Sequence, residues 1–156
     1  MAAGSSIFDQ AVLSLLLTNT TANLTGIGDA AGLQPSLTAG TLYVSLHSAS
    51  PGKGGTQSTN ELGFTGYTRI GVSRAATSWQ VTAGGAAYPG TGYNLAAITY
   101  PVMTGAPAVT AAYAALGTSP SGTGYLLLIA PLTAAVVLTA NVIALFPSAS
   151  LFFTAD

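Results

Sequence analysis

Charged side chains are scarce in this sequence, and their scarcity limits what the chain can fold into and bind. Only 4% of its 156 residues are charged, whereas a typical globular domain has about 25%. The chain has no cysteine and a single histidine. Its charged residues, which give a net charge of −1, are Lys53, Arg69, Arg74, Asp9, Asp29, Glu61 and Asp156.

This composition excludes several classes of function. Three cations cannot form the basic surface that nucleic-acid binding requires. The absence of cysteine excludes zinc–cysteine sites, iron–sulfur clusters and disulfides, and one histidine excludes a multi-histidine metal site. We therefore predict no cofactor, no metal and no nucleic-acid partner. Because a net charge near zero promotes association, the sequence predicts a subunit of an assembly; a neutral domain solvated by Ser, Thr and Gly is the alternative.

The longest uncharged apolar run, residues 125–146, is long enough to cross a membrane. However, Pro131, Thr133 and Asn141 interrupt it, and no Lys or Arg flanks it as an anchor. The run divides into two strands around Pro131–Thr133 in our interpretation, and we predict no membrane partner.

One helix is predicted at the N-terminal end, over residues 6–18. Ser5 or Ser6 supplies an N-cap, and Asp9 lies in the first turn, where the helix dipole favours a negative charge. From Thr41 the pattern changes to an alternation of period two, which predicts strands. Residues 84–92 are interpreted as a glycine-rich insert. The strands are predicted at residues 41–47, 67–73, 78–82, 95–102, 108–116, 125–130, 136–145 and 150–154.

No helical period separates these strands, so the sequence predicts a mainly β fold, an antiparallel β-sandwich or jelly-roll-like domain with one N-terminal helix. We predict that residues 1–40 form the helix and an extended arm, and that residues 41–156 form the β-sandwich domain. Because few charges are available to block strand edges, we expect neighbouring subunits, or the chain's own helix and loops, to cover them.

Catalytic groups are few. His47 shares a strand face with Ser45, and a triad with Asp29 can be imagined, but the nucleophile-elbow pattern G-x-S-x-G is absent. The carboxylates are scattered, which does not suggest an acid–base pair. We therefore predict that the chain is not an enzyme and that His47 is a strand-face residue hydrogen-bonded to a neighbour or to water.

The chain's few cationic and large aromatic side chains are candidates for contacts with partner subunits. Arg69 and Arg74 lie at the two ends of one β segment and form either a subunit contact or a local salt bridge, with Glu61 nearest in sequence. The large aromatic residues belong either to the core or to an interface. The candidate interface residues are Phe8, Leu15, Phe64, Tyr67, Arg69, Arg74, Trp79, Tyr88 and Tyr93.

Three segments together carry a resemblance to a known family. They are LYVSLHSASPG at residues 42–52, GGTQSTNE at 54–61 and FTGYTRIGVSR at 64–74. In this order they resemble a tailed-bacteriophage virion protein family whose members are commonly labelled tail fibre proteins. The resemblance covers most of residues 29–156 and implies a β-rich structural subunit without catalysis.

The resemblance leaves two positions in the virion open. Our leading expectation is a capsid cement (decoration) protein on the exterior of the capsid, with the major capsid protein and further copies of itself, as a trimer or dimer, as partners. The sequence lacks the repeats or heptads of a long fibre shaft. The alternative is a tail fibre or a tail-tip receptor- or glycan-binding module, in which Trp79, Tyr88, Tyr93 and Tyr100 stack on sugar rings.

Overall fold

The computed structural model describes residues 5–22, 24, 27, 32–83, 90–105 and 107–155. Within them the fold is mainly β, with antiparallel sheets and one N-terminal helix, which confirms the predicted fold class. The strands are β1 Thr41–His47, β2 Ile70–Ser73, β3 Trp79–Thr82, β4 Thr91–Asn94, β5 Ile98–Val102, β6 Val109–Gly117, β7 Leu126–Leu138, β8 Ile143–Phe146 and β9 Phe152–Thr154.

The chain forms two compact units, each assembled from segments that are distant in sequence. Unit 1 combines described residues of the ranges 1–41, 73–96 and 148–156. Unit 2 combines those of the ranges 42–72 and 97–147. The boundary at residue 40 that the sequence suggests stays a prediction.

The helix α1, Ser6–Leu13, begins where the sequence predicts. The Ser5 side chain accepts a hydrogen bond from the backbone N–H of Phe8 at 3.3 Å, which satisfies one of the free donors of the first turn. A π-helical segment, Ser14–Thr18, continues α1 and ends at Asn19, whose φ of 53° is left-handed. The predicted helix over residues 6–18 is therefore confirmed.

Unit 1 packs this helical segment with a three-stranded sheet of order β3-β4-β9. Leu13, Leu17, Trp79 and Phe153 are buried in its core. Strand β4 lies partly within the segment interpreted as a glycine-rich insert, and the strand prediction missed it. Glycine is required at position 92 of β4, because a Cβ there would overlap the Leu17 side chain.

Unit 2 contains a four-stranded sheet of order β2-β1-β6-β7 and a ribbon of β5 and β8. Strand β1 lies between β2 and β6, so both of its edges are paired. It is also buried on both faces from Val44 onwards. The alternation in its sequence predicts a half-buried strand, with Ser45 and His47 on the more polar face. Both residues are instead completely buried, because the second face is also covered.

Strand β7 differs from its prediction as well. The sequence pattern predicts two strands divided at Pro131–Thr133, but β7 is continuous from Leu126 to Leu138. Proline is tolerated there because β7 is an edge strand. On the outer side of an edge strand no neighbouring strand accepts hydrogen bonds from backbone N–H groups, so the missing N–H of a proline costs little. The register shifts beside the proline: Tyr113 pairs with Pro131 but Ala111 pairs with Val136, so extra residues of β7 form a bulge.

Candidate functional site

The three segments that carry the family resemblance meet at a buried ion pair in unit 2. Arg69 donates through Nε to Oε1 of Glu61 and through Nη2 to Oε2, each at 2.7 Å. The side chains of Arg69 and Glu61 are 3% and 16% exposed. Two parallel hydrogen bonds fix the planes of both groups, so the pair constrains geometry as well as charge. The hydrogen bonds that Arg69 donates to Glu61 raise the pKa of Arg69, which keeps the guanidinium charged.

Tyr67 connects this ion pair to strand β1. Its hydroxyl donates to Oε1 of Glu61 at 3.1 Å and accepts from the backbone N–H of Leu46 at 3.0 Å. Burial raises the pKa of Tyr67 well above its usual value, so the hydroxyl stays protonated and keeps its role as donor. The loop that carries Glu61 and the segment that carries Tyr67 are thereby tied to the centre of the sheet.

Aromatic rings extend the same contacts towards the β5–β8 ribbon. The ring of Tyr67 is stacked against that of Tyr100, with centroids 6.0 Å apart, and meets the ring of Phe64 edge-on at 5.1 Å. Tyr100 also meets Phe146 edge-on at 6.3 Å and donates through its hydroxyl to the carbonyl of Val44 at 3.1 Å. Burial raises the pKa of Tyr100 as well. These rings join the ribbon to the four-stranded sheet within unit 2.

His47 and Ser45 form a hydrogen-bonded pair that resembles part of a catalytic dyad in its geometry. His47 Nδ1 lies 2.9 Å from the carbonyl of Thr59, and because a carbonyl only accepts, Nδ1 carries the proton. Nε2 of the neutral ring then accepts from Ser45 Oγ at 2.8 Å. Both side chains are completely buried, so no substrate reaches them, and burial lowers the pKa of His47. The pair is a structural contact of β1, and Asp29 lies outside the described residues.

Arg69 also holds the loop between β6 and β7. Its Nη1 donates to the carbonyl of Ser119 at 3.0 Å and its Nη2 to that of Gly122 at 2.6 Å. Gln57, which is completely buried, accepts from the backbone N–H of Ser119 at 2.9 Å. We call Ser45, His47, Gln57, Glu61, Tyr67 and Arg69 the buried polar cluster. Its hydrogen bonds tie β1, two loops and the segment before β2 to one another.

Arg74 has a separate structural role in unit 1. Its guanidinium donates to the carbonyls of Leu15 at 2.8 Å, Leu16 at 2.7 Å and Ala39 at 2.9 Å. These first two carbonyls belong to the π-helical segment, whose C-terminal end carries partial negative charge and favours a cation. Arg69 and Arg74 therefore both bind within their own units, and Arg69 forms the local salt bridge with Glu61, one of the two alternatives left open by the sequence.

The other candidate interface residues differ widely in exposure. Phe8 is 47% exposed, Leu15 and Tyr93 are partly buried, and Trp79 is 1% exposed beside Phe153. Tyr88 lies outside the described residues. Phe64 and Tyr67 line an open pocket of about 420 Å³, whose other lining residues are Gly63, Thr65, Met103, Gly105 and Pro107. An interface role for these residues stays a prediction.

Of the rings considered for sugar stacking, the three that the structure describes are poorly placed for it. Trp79 and Tyr100 are almost completely buried, and Tyr93 packs against Phe152 with ring centroids 5.6 Å apart. The exposed apolar side chains are mostly aliphatic. They are Ile7, Phe8, Ile27, Leu37, Val102, Tyr125, Val136, Val137, Val142, Ile143, Leu145 and Phe152.

Sequence reasoning missed Gln57, a member of the buried polar cluster, and Ser119, whose backbone binds the cluster. Gln57 lies in a loop of polar and glycine residues, where nothing in the sequence distinguishes it from an exposed side chain. Ser119 contributes only backbone atoms to the cluster. Gly117 and Gly124 leave room for Gln57, because a Cβ at either position would overlap its side chain.

Neither a metal centre nor a membrane helix is found in the part of the chain that the structure describes. Its His, Asp and Glu side chains form no group of three that could hold a metal ion. None of its helices combines the length and the apolar character needed to cross a membrane.

A known protein family matches most of the chain. The family model described as Podophage GP4 fiber I protein gp80 matches residues 11–154, which is nearly the whole chain. No curated protein matches the sequence.

Proposed function

The chain belongs to the family described as Podophage GP4 fiber I protein gp80, a family of phage virion structural proteins, and on this premise we propose that it is a non-enzymatic subunit of a virion fibre. The observation that carries the proposal is the extent of the family match, residues 11–154, which includes both compact units. The sequence resemblance in residues 42–74 points to the same class of virion protein.

The use of the polar side chains supports a structural role. The histidine and the carboxylate of unit 2 are both engaged within the buried polar cluster. His47 is completely buried, and Glu61 is bound by both Arg69 and Tyr67. Groups arranged in this way fix strands and loops relative to one another rather than meeting a substrate.

The exposed surface supports contacts with other virion subunits. Large aliphatic side chains are exposed on β7 and on the β5–β8 ribbon, and no charged residue occurs between residues 75 and 155. Uncharged apolar surface is typical of the centre of protein interfaces. The proposed partners are therefore further copies of this chain, as a dimer or trimer, and neighbouring virion proteins.

A capsid cement protein on the exterior of the head is the second candidate. It is favoured by the lack of heptads or fixed-period repeats in the 156 residues, because such repeats build long fibre shafts. In that role the partner is the major capsid protein. Both candidates use the same uncharged surface and differ in position and copy number.

The experiment that separates them is localisation in the intact particle. Purified virions are imaged by cryo-electron microscopy, and the copy number of the chain relative to the major capsid protein is measured by mass spectrometry with isotope-labelled peptides. A small copy number and density in fibres support the proposal. Hundreds of copies on the head shell support the cement role, and absence from the purified particle rejects both.

A further inference from the structure

His47 is the one side chain of this sequence that ordinarily changes charge between about pH 5 and 8, because only histidine does so and the chain has a single histidine. It is completely buried at the end of β1. The segment that follows β1, residues 48–61, returns to it: His47 forms a β-bridge with Glu61, and the N–H of Leu62 donates to the carbonyl of Leu46 at 2.8 Å. We call residues 48–61 the cover loop.

The cover loop is a surface segment held partly by its own hydrogen bonds. Its Thr59 carbonyl contacts the His47 ring, but the neighbours Ser58 and Asn60 are exposed. The backbone N–H groups of Gly55, Thr59 and Glu61 donate to carbonyls of the same loop. Such a segment can open while the strands beneath it stay paired, since local opening costs less than global unfolding.

The hydrogen bonds at the His47 ring suit its neutral form. Nδ1–H donates to the Thr59 carbonyl, and Nε2 accepts from Ser45 Oγ. A second proton on Nε2 would point at Ser45 Oγ, which would then have to donate its own hydrogen elsewhere. The carbonyl of Ala115 is 3.4 Å from Ser45 Oγ, beyond the usual range of about 2.5–3.0 Å for a hydroxyl donor. The closed structure therefore holds an imidazolium poorly.

The charges around the ring do not remove this difficulty. Burial is the largest effect and lowers the pKa of His47; the Thr59 carbonyl and the Glu61 carboxylate raise it, and the Arg69 guanidinium lowers it. Because Glu61 is already bound twice by Arg69, it offsets only part of the cost of burying a second cation. The titratable residues on the elements around the ring are Glu61 of the cover loop, Tyr67 and Arg69 before β2, and Tyr113, which pairs with His47 on β6.

We propose that His47 is a pH-sensitive switch: a proton gained at Nε2 releases the cover loop from β1 while β1 and β6 stay paired. Opening admits water to the imidazolium, and the cover loop is the exposed segment that contacts the ring. Gln57 and Ser58 of the cover loop also bind the N–H of Ser119 and the carbonyl of Gly122, so its release frees the loop between β6 and β7 as well. Acidity thereby changes the shape of two exposed loops together. The proposal goes beyond the fibre role and does not depend on it.

Hydrogen exchange of the purified full chain, followed by mass spectrometry between about pH 5 and 8, tests the switch. Exchange rates are corrected for the intrinsic pH dependence of amide exchange. In the open form His47 has its ordinary pKa of 6.5, whereas in the closed form its pKa is lower, so acid favours opening. The opening constant of residues 52–61 should rise by about tenfold per pH unit below 6.5, until the pKa of the closed form is reached. The amides of β6 should stay protected throughout.

Two variants separate the histidine from other causes. His47→Gln removes the titrating group, so its opening constant should not depend on pH. Lys53→Gln is the matched control, because it changes an exposed charged residue of the same loop, and it should follow wild type.

A second measurement keeps the test independent of whether His47→Gln folds. The single histidine gives one ring C2–H resonance in the NMR spectrum of the wild-type chain. Its shift should follow the opening of the cover loop as the pH falls. The proposal is overturned if the wild-type opening constant does not depend on pH, or if folded His47→Gln keeps the wild-type slope. It is equally overturned if His47 titrates while the cover loop stays protected, or if β6 loses protection together with the loop.

Discussion

Replacing Glu61 by glutamine tests whether the buried ion pair organises unit 2. The substitution keeps the size of the side chain but removes the charge that faces Arg69, whose side chain is 3% exposed. Removing one partner of a buried ion pair costs about 3–5 kcal/mol. Because Arg69 keeps the carbonyls of Ser119 and Gly122 as acceptors, we expect the lower end, about 3 kcal/mol.

That loss is large for a chain of this size. Natural domains unfold with about 5–15 kcal/mol, and for about 150 residues each kcal/mol lowers Tm by about 2–4 °C, so Tm should fall by about 6–12 °C. Urea unfolding followed by circular dichroism is the primary measurement. Fluorescence alone would be misleading, because the only tryptophan, Trp79, lies in unit 1, whereas Glu61 lies in unit 2.

A double-mutant cycle completes the test. Arg69→Met should destabilise unit 2 because it leaves the Glu61 carboxylate buried without a cation, and the double variant should lose less than the sum of the two single losses. Lys53→Gln, which removes an exposed charge, is the control and should change the unfolding free energy by less than about 0.5 kcal/mol. Single losses below about 1 kcal/mol, or strictly additive ones, would refute the argument that this pair organises the unit.

Three further predictions concern other contacts. Burial lowers the pKa of His47 below its usual 6.5, so the unfolded chain binds the proton more readily and stability should fall as the pH drops below 6.5. The slope of unfolding free energy against pH should flatten in His47→Gln, and an unchanged slope would contradict this cause. Gly117→Ala places a Cβ against the side chain of Gln57 and should lower the unfolding free energy, measured in urea, by about 1–3 kcal/mol. The control Gly63→Ala, whose Cβ would lie in open space, should lower it by less than about 0.5 kcal/mol. Equal losses in the two variants would argue against the contact with Gln57. Arg74→Met removes three hydrogen bonds to carbonyls. It should weaken the helical signal in circular dichroism and lower the unfolding free energy by about 1–3 kcal/mol. An unchanged helical signal would show that the helical segment does not need this cation.

The strand edges are protected in a way that the composition does not suggest. Scarce charge leads to the expectation that neighbours, helix or loops cover the edges. The structure shows other devices: Pro131 and a bulge interrupt the long edge strand β7, and β5 has Pro101 and a register shift. The edge strands β2, β3 and β9 are only three or four residues long. Proline, bulges and short length all hinder edge-to-edge pairing without charge.

Local features of the fold follow from short stretches of the amino-acid sequence. The helix start at Ser5 and strand β1 were predicted correctly, because a capping side chain and an alternation of period two act over a few neighbouring residues. The scarcity of charge also limited the function classes before any fold was known. The motifs in residues 42–74 pointed to the virion protein class that the family match supports.

The roles of these local features depend on contacts between distant parts of the chain. Ser45 and His47 are buried because segments outside β1 cover their face of the strand, and the Thr59 carbonyl lies 2.9 Å from His47 Nδ1. Strand β7 continues through Pro131 because it is an edge strand, and β4 forms where glycine allows close contact with Leu17. The contacts of Arg69 with Ser119 and Gly122 join residues about fifty positions apart. No local pattern encodes such contacts, because they depend on the order of strands in the sheet.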